Sequence, residues 1–372
     1  MKIGIVVHGP GIVDSGYAGK IIEILSEYGE IKARLGGTMG RTAVIDAHME
    51  NIIDIRRKLL PSESVRSFMN EGVDLIFLLN YGKSNITGHT FGYKVHQKSN
   101  NPPLIQIERP GEADGSIISW KSDLNDFAAE IARKLNLKFF NKSQIIDEIK
   151  GRTGSQKDGH KTYRKVAGVS PNENIFINNI VVGRSNSSKV TLLAKDGILT
   201  GIEGGNLKEH GVQKLGKIDL DKAIIKTGLL RGSEVKPRVL NNHPVKSGEK
   251  NVFTASYLDH AACDIYKLRD SDLVITVGDD TTLVAADILF RFNVPIFGIT
   301  DGDLDKVVEK GFKAQGSVII ELDYGLDDII GEKIYNKCFK GKESLEIDNI
   351  ENFKNELIQI IKQECKTCKI IE

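Results

Sequence analysis

The stretch "SDLVITVGDDTTLVAADILFRFNVPIFGITDGDLD", Ser271 to Asp305, decides the fold class. Residues 273–277 are a short apolar, β-branched run; residues 283–292 carry helical spacing; residues 295–299 form a second apolar run. Strands separated by a helical pattern argue for neighbours in a parallel, doubly wound sheet. The acids fall just past the strands: Asp279 and Asp280 after the first, Asp301, Asp303 and Asp305 after the second.

Working outward, the same alternation fills the beginning of the chain. Strands are expected at 2–7, 31–35, 73–79 and 104–107, with amphipathic helices at 18–28 and 124–135. The fold class is therefore α/β, with two Rossmann-like parallel-sheet units and a small β-rich unit between them in the sequence. "ENIFINNIVVG", "KVTLLAKDGILTGIEGG" and "KAIIKTGLL" supply the β-rich part, as short runs cut by Gly, Asn and Asp. The expected division is an N-terminal Rossmann-like domain over 1–137, a polar linker over 138–165, the β-rich unit over 166–250 and a C-terminal α/β domain over 251–372. That last domain is expected to open with a helix over 256–268, and a tail helix over 350–362 to pack on its outside.

Bulk properties narrow the functions. A chain of 372 residues, 40% hydrophobic and 27% charged, has an ordinary globular composition and enough length for more than one core. Net charge is +1, with one Trp, so neither a basic stripe nor an aromatic ladder points to nucleic acid. No apolar run reaches membrane-spanning length, and Met1 leads straight into a strand pattern; the expectation is a cytoplasmic protein with no membrane partner. A homo-oligomer is compatible with all of this. Four cysteines make no disulfide framework. Cys365 and Cys368 have CxxC spacing, but a zinc site would need further ligands.

In open parallel sheets, ligands sit beyond the carboxyl ends of the strands, where helix N-termini present free N–H groups. Gly278 would allow close backbone approach there, and Thr281 and Thr282 stand in the following first turn. Several carboxylates in one crevice repel unless a cation relieves them. Mg²⁺ shared with a nucleotide phosphate satisfies that need, with Asp279, Asp280, Asp301 and Asp303 as candidate ligands. The competing reading is simple helix capping and turn formation by Asp.

Residues 277–286, "VGDDTTLVAA", followed by 294–302, "VPIFGITDG", resemble the nucleotide-binding motif of NAD kinases and diacylglycerol kinases: Gly-Gly-Asp-Gly-Thr, a helix beginning Leu-Leu-x-Ala-Ala, then a Pro-containing strand ending Gly-Ile-Asn-x-Gly. The resemblance spans about thirty residues. It implies a bound nucleotide of the ATP or NAD type, Asp279 as the catalytic aspartate, Gly278 and Thr281 as phosphate contacts and Gly302 as the glycine of the second loop; Asp280 is a further catalytic candidate, and Thr282 and Thr300 are further cofactor-contact candidates, from their places at the strand ends. Val277, Asp280 and Thr300 depart from the motif, replacing two glycines and the Asn. The order of domains departs too, because here the β-rich part precedes the motif. Over its whole length the chain is similar to an uncharacterised family of conserved archaeal proteins from methanogens, through "LGGTMGRTAVIDA", "GVSPNENIFINNIVVG" and "VGDDTTLVAADIL".

A second surface is expected in the first domain, where four strands end in "HGPGIVDSG", "GGTMGRTAVIDA", "NYGKSNITG" and "ERPGEADG". Thr38, Arg41, Lys83 and Arg109 are the candidate phosphate or carboxylate contacts, and His8 is the candidate proton carrier. Neither Gly40-Arg41-Thr42 nor Gly82-Lys83-Ser84 has the preceding glycine of a P-loop. Two functions are consistent with these features. One is a Mg²⁺-dependent phosphoryl or nucleotidyl transferase acting on a nucleotide or dinucleotide. The other is a non-catalytic sensor or assembly protein that binds a nucleotide or an anionic, phosphorylated metabolite.

Overall fold

The structure, a computed structural model, describes residues 1–149, 155–166, 168–178, 180–228, 236–240, 251–259, 265–302, 312–365 and 367–371. The chain divides into two compact units: Met1–Ile177 with Val181–Lys236, and Pro237–Glu372 with the short segment Asn178–Ile180.

In the first unit, continuous apolar runs give strands buried on both faces, as a parallel sheet requires. The strands are β1 (Lys2–His8), β2 (Glu30–Gly36), β3 (Ile53–Asp54), β4 (Leu75–Asn80), β5 (Leu104–Glu108), β6 (Ser116–Ser119) and β7 (Lys138–Asn141), in the spatial order β3-β2-β1-β4-β5-β6-β7. Strands β1 to β5 are parallel; β6 and β7 run the other way. The chain adds β2 and β3 on one side of β1 and then returns to place β4 on the other. That reversal between β1 and β4 is the topological switch point of a doubly wound sheet. One face is covered by the helices Pro61–Asn70, Asn85–Lys98 and Lys142–Ile149, whose Phe68, Val95 and Ile145 pack with Val6, Leu78 and Trp120.

The expected linker over 138–165 is not a linker. It begins with β7, paired along β6, continues into a helix that buries Ile145 and Ile149, and ends in two antiparallel strands. Its polar residues are the outward half of amphipathic elements, which a composition reading takes for loop.

The middle of the chain carries β8 (Ser155–Asp158), β9 (Lys161–Val166), β10 (Asn174–Ile177), β11 (Ile180–Ser185), β12 (Val190–Lys195), β13 (Ile198–Glu203), β14 (Gly205–Leu207) and β15 (Ile225–Thr227). They form two four-stranded sheets, β13-β12-β9-β8 and β14-β11-β10-β15. Asp196 and Gly197 both take positive φ, the backbone a tight β12–β13 hairpin demands.

In the second unit the strands are β16 (Phe253–Leu258), β17 (Leu273–Val277), β18 (Ile296–Thr300), β19 (Val318–Glu321), β20 (Ser344–Ile347) and β21 (Lys369–Ile371). The order is β20-β16-β17-β18-β19-β21, with β16 to β19 parallel and an antiparallel strand on either edge. Helices Leu326–Lys337 and Ile350–Glu364 close one face, bringing Ile330, Phe353 and Leu357 onto Ile275, Phe297 and Ile299. The tail helix is therefore a wall of this core. The expected helix over 256–268 is corrected: residues 253–258 are strand β16, and a 3₁₀ turn follows at Ile265–Asp270. Cys365 is buried in the same core with its thiol turned to Asp323, so the CxxC pair packs as small apolar side chains.

Candidate functional site

The carboxyl ends of β17 and β18 hold Asp279, Asp280 and Asp301, acids that the sequence singled out. Gly278 follows β17 with φ of 91°, a backbone only glycine adopts freely, and its N–H donates to the Ile299 carbonyl at 2.9 Å. This ties the ends of β17 and β18 together and starts the helix Asp279–Phe290 at once, with Asp279 and Asp280 in its first turn. Acidic side chains there are favourable toward the helix dipole. A side chain that sequence reasoning missed joins them: the Asp327 carboxylate stands 3.9 Å from where a Cβ on Gly278 would lie. Its signal was in the sequence, since Gly325-Leu326-Asp327-Asp328 again sets a glycine ahead of paired acids at a helix start. At the end of β16, burial raises the Tyr257 phenol, and the nearby carboxylates of Asp259 and Asp328 add to the rise.

The other expected contacts are used inside the unit. Thr282 is buried, and its hydroxyl is 2.8 Å from that of Thr276, while its methyl packs toward Gly298. Thr281 donates to the Asp259 carbonyl at 3.3 Å, and Thr300 to the Ile320 carbonyl at 3.3 Å. These hydroxyls hold helix to sheet and strand to strand. Asp301 accepts the Gly325 N–H at 2.8 Å, bracing the loop that precedes the helix Leu326–Lys337. Gly302, at φ of 67°, lies close to Glu321. Asp303 lies outside the described residues. Among the described residues no three His, Cys, Asp or Glu side chains group into a metal cage. A Mg²⁺ ion here would draw most of its oxygens from a ligand's phosphates and from water, as Mg²⁺ commonly does.

In the first unit the strand ends meet in register. His8 pairs with Asn80 across β1 and β4, Asn80 with Glu108 across β4 and β5, and Glu108 with Ser116 across β5 and β6. Registered neighbours point to the same face, so the sequence places a polar row across four strands at the switch point. His8 Nδ1 is 2.7 Å from Asn80 Oδ1, and Asn80 Nδ2 donates to Glu108 Oε2 at 2.7 Å. Glu108 also accepts from Gln106 Nε2 at 2.9 Å and from the Gly82 N–H at 2.6 Å. Burial pushes the Glu108 carboxyl up to about 7 against the pull of these three donors. Burial likewise lowers His8, and the Asn80 bond opposes it. Perturbed groups at a switch point are a functional signature.

The helix Asn85–Lys98 closes over this row because Gly88 and Gly92 face it. A Cβ on Gly88 would land in the Glu108 carboxyl, and one on Gly92 in the Gln106 amide. Phe91 of that helix stacks on the His8 ring at 4.1 Å.

The cations expected to meet an anion at these strand ends are matched within the protein. Arg41 is buried and donates to the carbonyls of Ile55 and Arg57, Lys83 pairs with Glu173, and Arg109 pairs with Asp114 at 2.9 Å. The N-terminus of the helix Asn85–Lys98 already holds Asp114 on the Asn85 N–H and Ser84 on the Thr87 N–H. Thr38 sits in the turn after β2, partly exposed. A dense positive cradle for phosphate is not what this edge presents.

Comparison with known proteins agrees with the full-length resemblance. A relative in Methanocaldococcus jannaschii, uncharacterized protein MJ0065, is 46% identical over 339 residues, covering 89% of this chain and 90% of the relative. No solved structure matches the chain. Residues 5–342 match the model of DUF2117, described as an uncharacterized protein conserved in archaea, and the chain belongs to that family.

Proposed function

We propose that this protein binds a nucleotide, of the ATP or NAD type, or a similarly phosphorylated metabolite, at the strand ends of its second unit. The observation that carries this reading is the Gly278 turn, which starts a 12-residue helix directly at the end of β17 and brings Asp279, Asp280 and the Asp327 carboxylate to one edge. Acids crowded at a strand end repel a bare phosphate. They suit a phosphate that arrives with its own divalent cation. Phosphoryl transfer relies mainly on positioning and charge neutralisation, so such a site has the raw material of a Mg²⁺-dependent phosphotransferase, with Asp279 as its candidate catalytic group.

A second reading, binding without catalysis, draws support from the hydroxyls of Thr281, Thr282 and Thr300, which are spent on internal bonds. Calorimetry with ATP, ADP and NAD⁺, each with and without Mg²⁺, followed by product analysis, separates the two. Saturable binding that strengthens with Mg²⁺ and is lost in Asp279→Asn is the expected result. Product formation assigns the phosphotransferase, and binding alone assigns the sensor. Binding unchanged by both Mg²⁺ and the substitution overturns the site.

A further inference from the structure

We infer that the crevice at the β1–β4 switch point of the first unit is a second ligand site, in which the outward nitrogen of His8 recognises an uncharged, hydroxyl-bearing small molecule. The inference is independent of the nucleotide reading. It rests on the direction of hydrogen bonds along the polar row.

An ionised carboxylate only accepts, so Asn80 must turn its amide nitrogen to Glu108 and its carbonyl oxygen to His8. That oxygen can only accept, so His8 must carry its proton on Nδ1. The other ring nitrogen, Nε2, is left with a lone pair. Among the described residues Nε2 has no hydrogen-bond partner, and His8 is only partly buried. Phe91, stacked on the ring, fixes the direction in which this lone pair points. The network thus prepares one hydrogen-bond acceptor and holds its tautomer from behind, as buried partners of functional imidazoles do.

The surroundings select the ligand. Gly9 after β1 and Gly37 after β2 have only open space within 4 Å of an added Cβ, so the backbone just past these two strands is not packed against. The nearby cations, Lys83 and Arg109, are paired with Glu173 and Asp114, and the adjacent helix N-terminus is occupied by Asp114. Among the described residues these cations are already paired, so an anion would gain no unpaired positive group from them. A neutral hydroxyl brings the donor that the Nε2 lone pair lacks and no charge to be compensated.

Nitrogen-15 NMR of the histidine rings in the intact protein at pH 8, where Glu108 is ionised, tests both halves. The His8 resonances are expected to report a neutral ring protonated at Nδ1, and Nε2 to shift on titration with D-ribose but not with inorganic phosphate. Glu108→Gln removes the group that orients Asn80, so the His8 tautomers mix and D-ribose binding weakens roughly tenfold. Circular dichroism verifies that the variant is folded, and the wild-type measurements stand without it. A dominant Nε2–H tautomer, no response to D-ribose at saturation, or a response to phosphate instead, each overturns the inference.

Discussion

At the scale of single residues, Glu108 concentrates the strongest conflict in the molecule: three N–H donors stabilise its carboxylate, while complete burial opposes the charge. Burial prevails, and the carboxyl is pushed up to about 7 from an ordinary value of 4.5. A folded-state value above the unfolded one contributes stability that is complete below about pH 4.5 and is lost as pH rises through about 7. The expected loss across that window is on the order of 3 kcal/mol. Urea unfolding of wild type and Glu108→Gln at pH 5 and pH 8 checks the sign: the wild type should lose stability relative to the variant as pH rises. A wild type that gains on the variant with pH would mean that the three donors outweigh burial. Glu108 opens the quoted ERPGEADG stretch at the end of one apolar strand, and His8 stood out in the sequence as a polar residue closing another. Their partnership did not, because it depends on Asn80 lying in register between them, and strand register across β1, β4 and β5 is a tertiary property. Arg41, Lys83 and Arg109 were legible as cations at turns. Their counter-charges, at Glu173 and Asp114 or on carbonyls of residues 55 and 57, were not.

At the scale of elements, the helix Asn85–Lys98 shows why some structure escaped the sequence. Its glycines, threonines and histidines give no apolar stripe, because the face it turns inward meets side chains of Glu108, Gln106 and Ser116 rather than a purely hydrocarbon core. Two glycines a helical turn apart let it approach that closely. The same substitution should therefore have opposite effects in two helices. Gly88→Ala drives a methyl into the Glu108 carboxyl and should cost about 1–3 kcal/mol or more, as overpacking does. Gly19→Ala, in the helix Tyr17–Ser26, meets only Met49 Cε at 3.6 Å, an ordinary contact, and should gain roughly 0.5–1 kcal/mol from helix propensity. Urea midpoints of the two variants settle the comparison, and equal effects would contradict the close approach. Strong periodicity was read correctly at Asp279–Phe290 and Ile350–Glu364, whereas the short apolar run of β16 was taken for a helix, since four to six apolar residues fit either period.

For the whole molecule, the sequence carried the α/β class and the presence of antiparallel β structure in mid-chain, because alternation and turn residues are local signals. It did not carry the grouping of β8 and β9 with later strands, which rests on pairing across more than twenty residues. Each unit has its own apolar core, and the single tryptophan, Trp120, is buried in the first. Trp120 fluorescence therefore reports unfolding of the first unit, while far-ultraviolet circular dichroism reports both. Leu357, fully buried where the tail helix meets the second sheet, is the natural perturbation. Leu357→Ala removes three carbons from a closed core and should destabilise the second unit by about 2–5 kcal/mol. If the two cores unfold separately, the variant's dichroism transition moves to lower urea while its Trp120 transition stays in place. Coincident shifts in both signals would show that the units unfold as one cooperative system, in which the loss of the tail helix is felt at the first sheet.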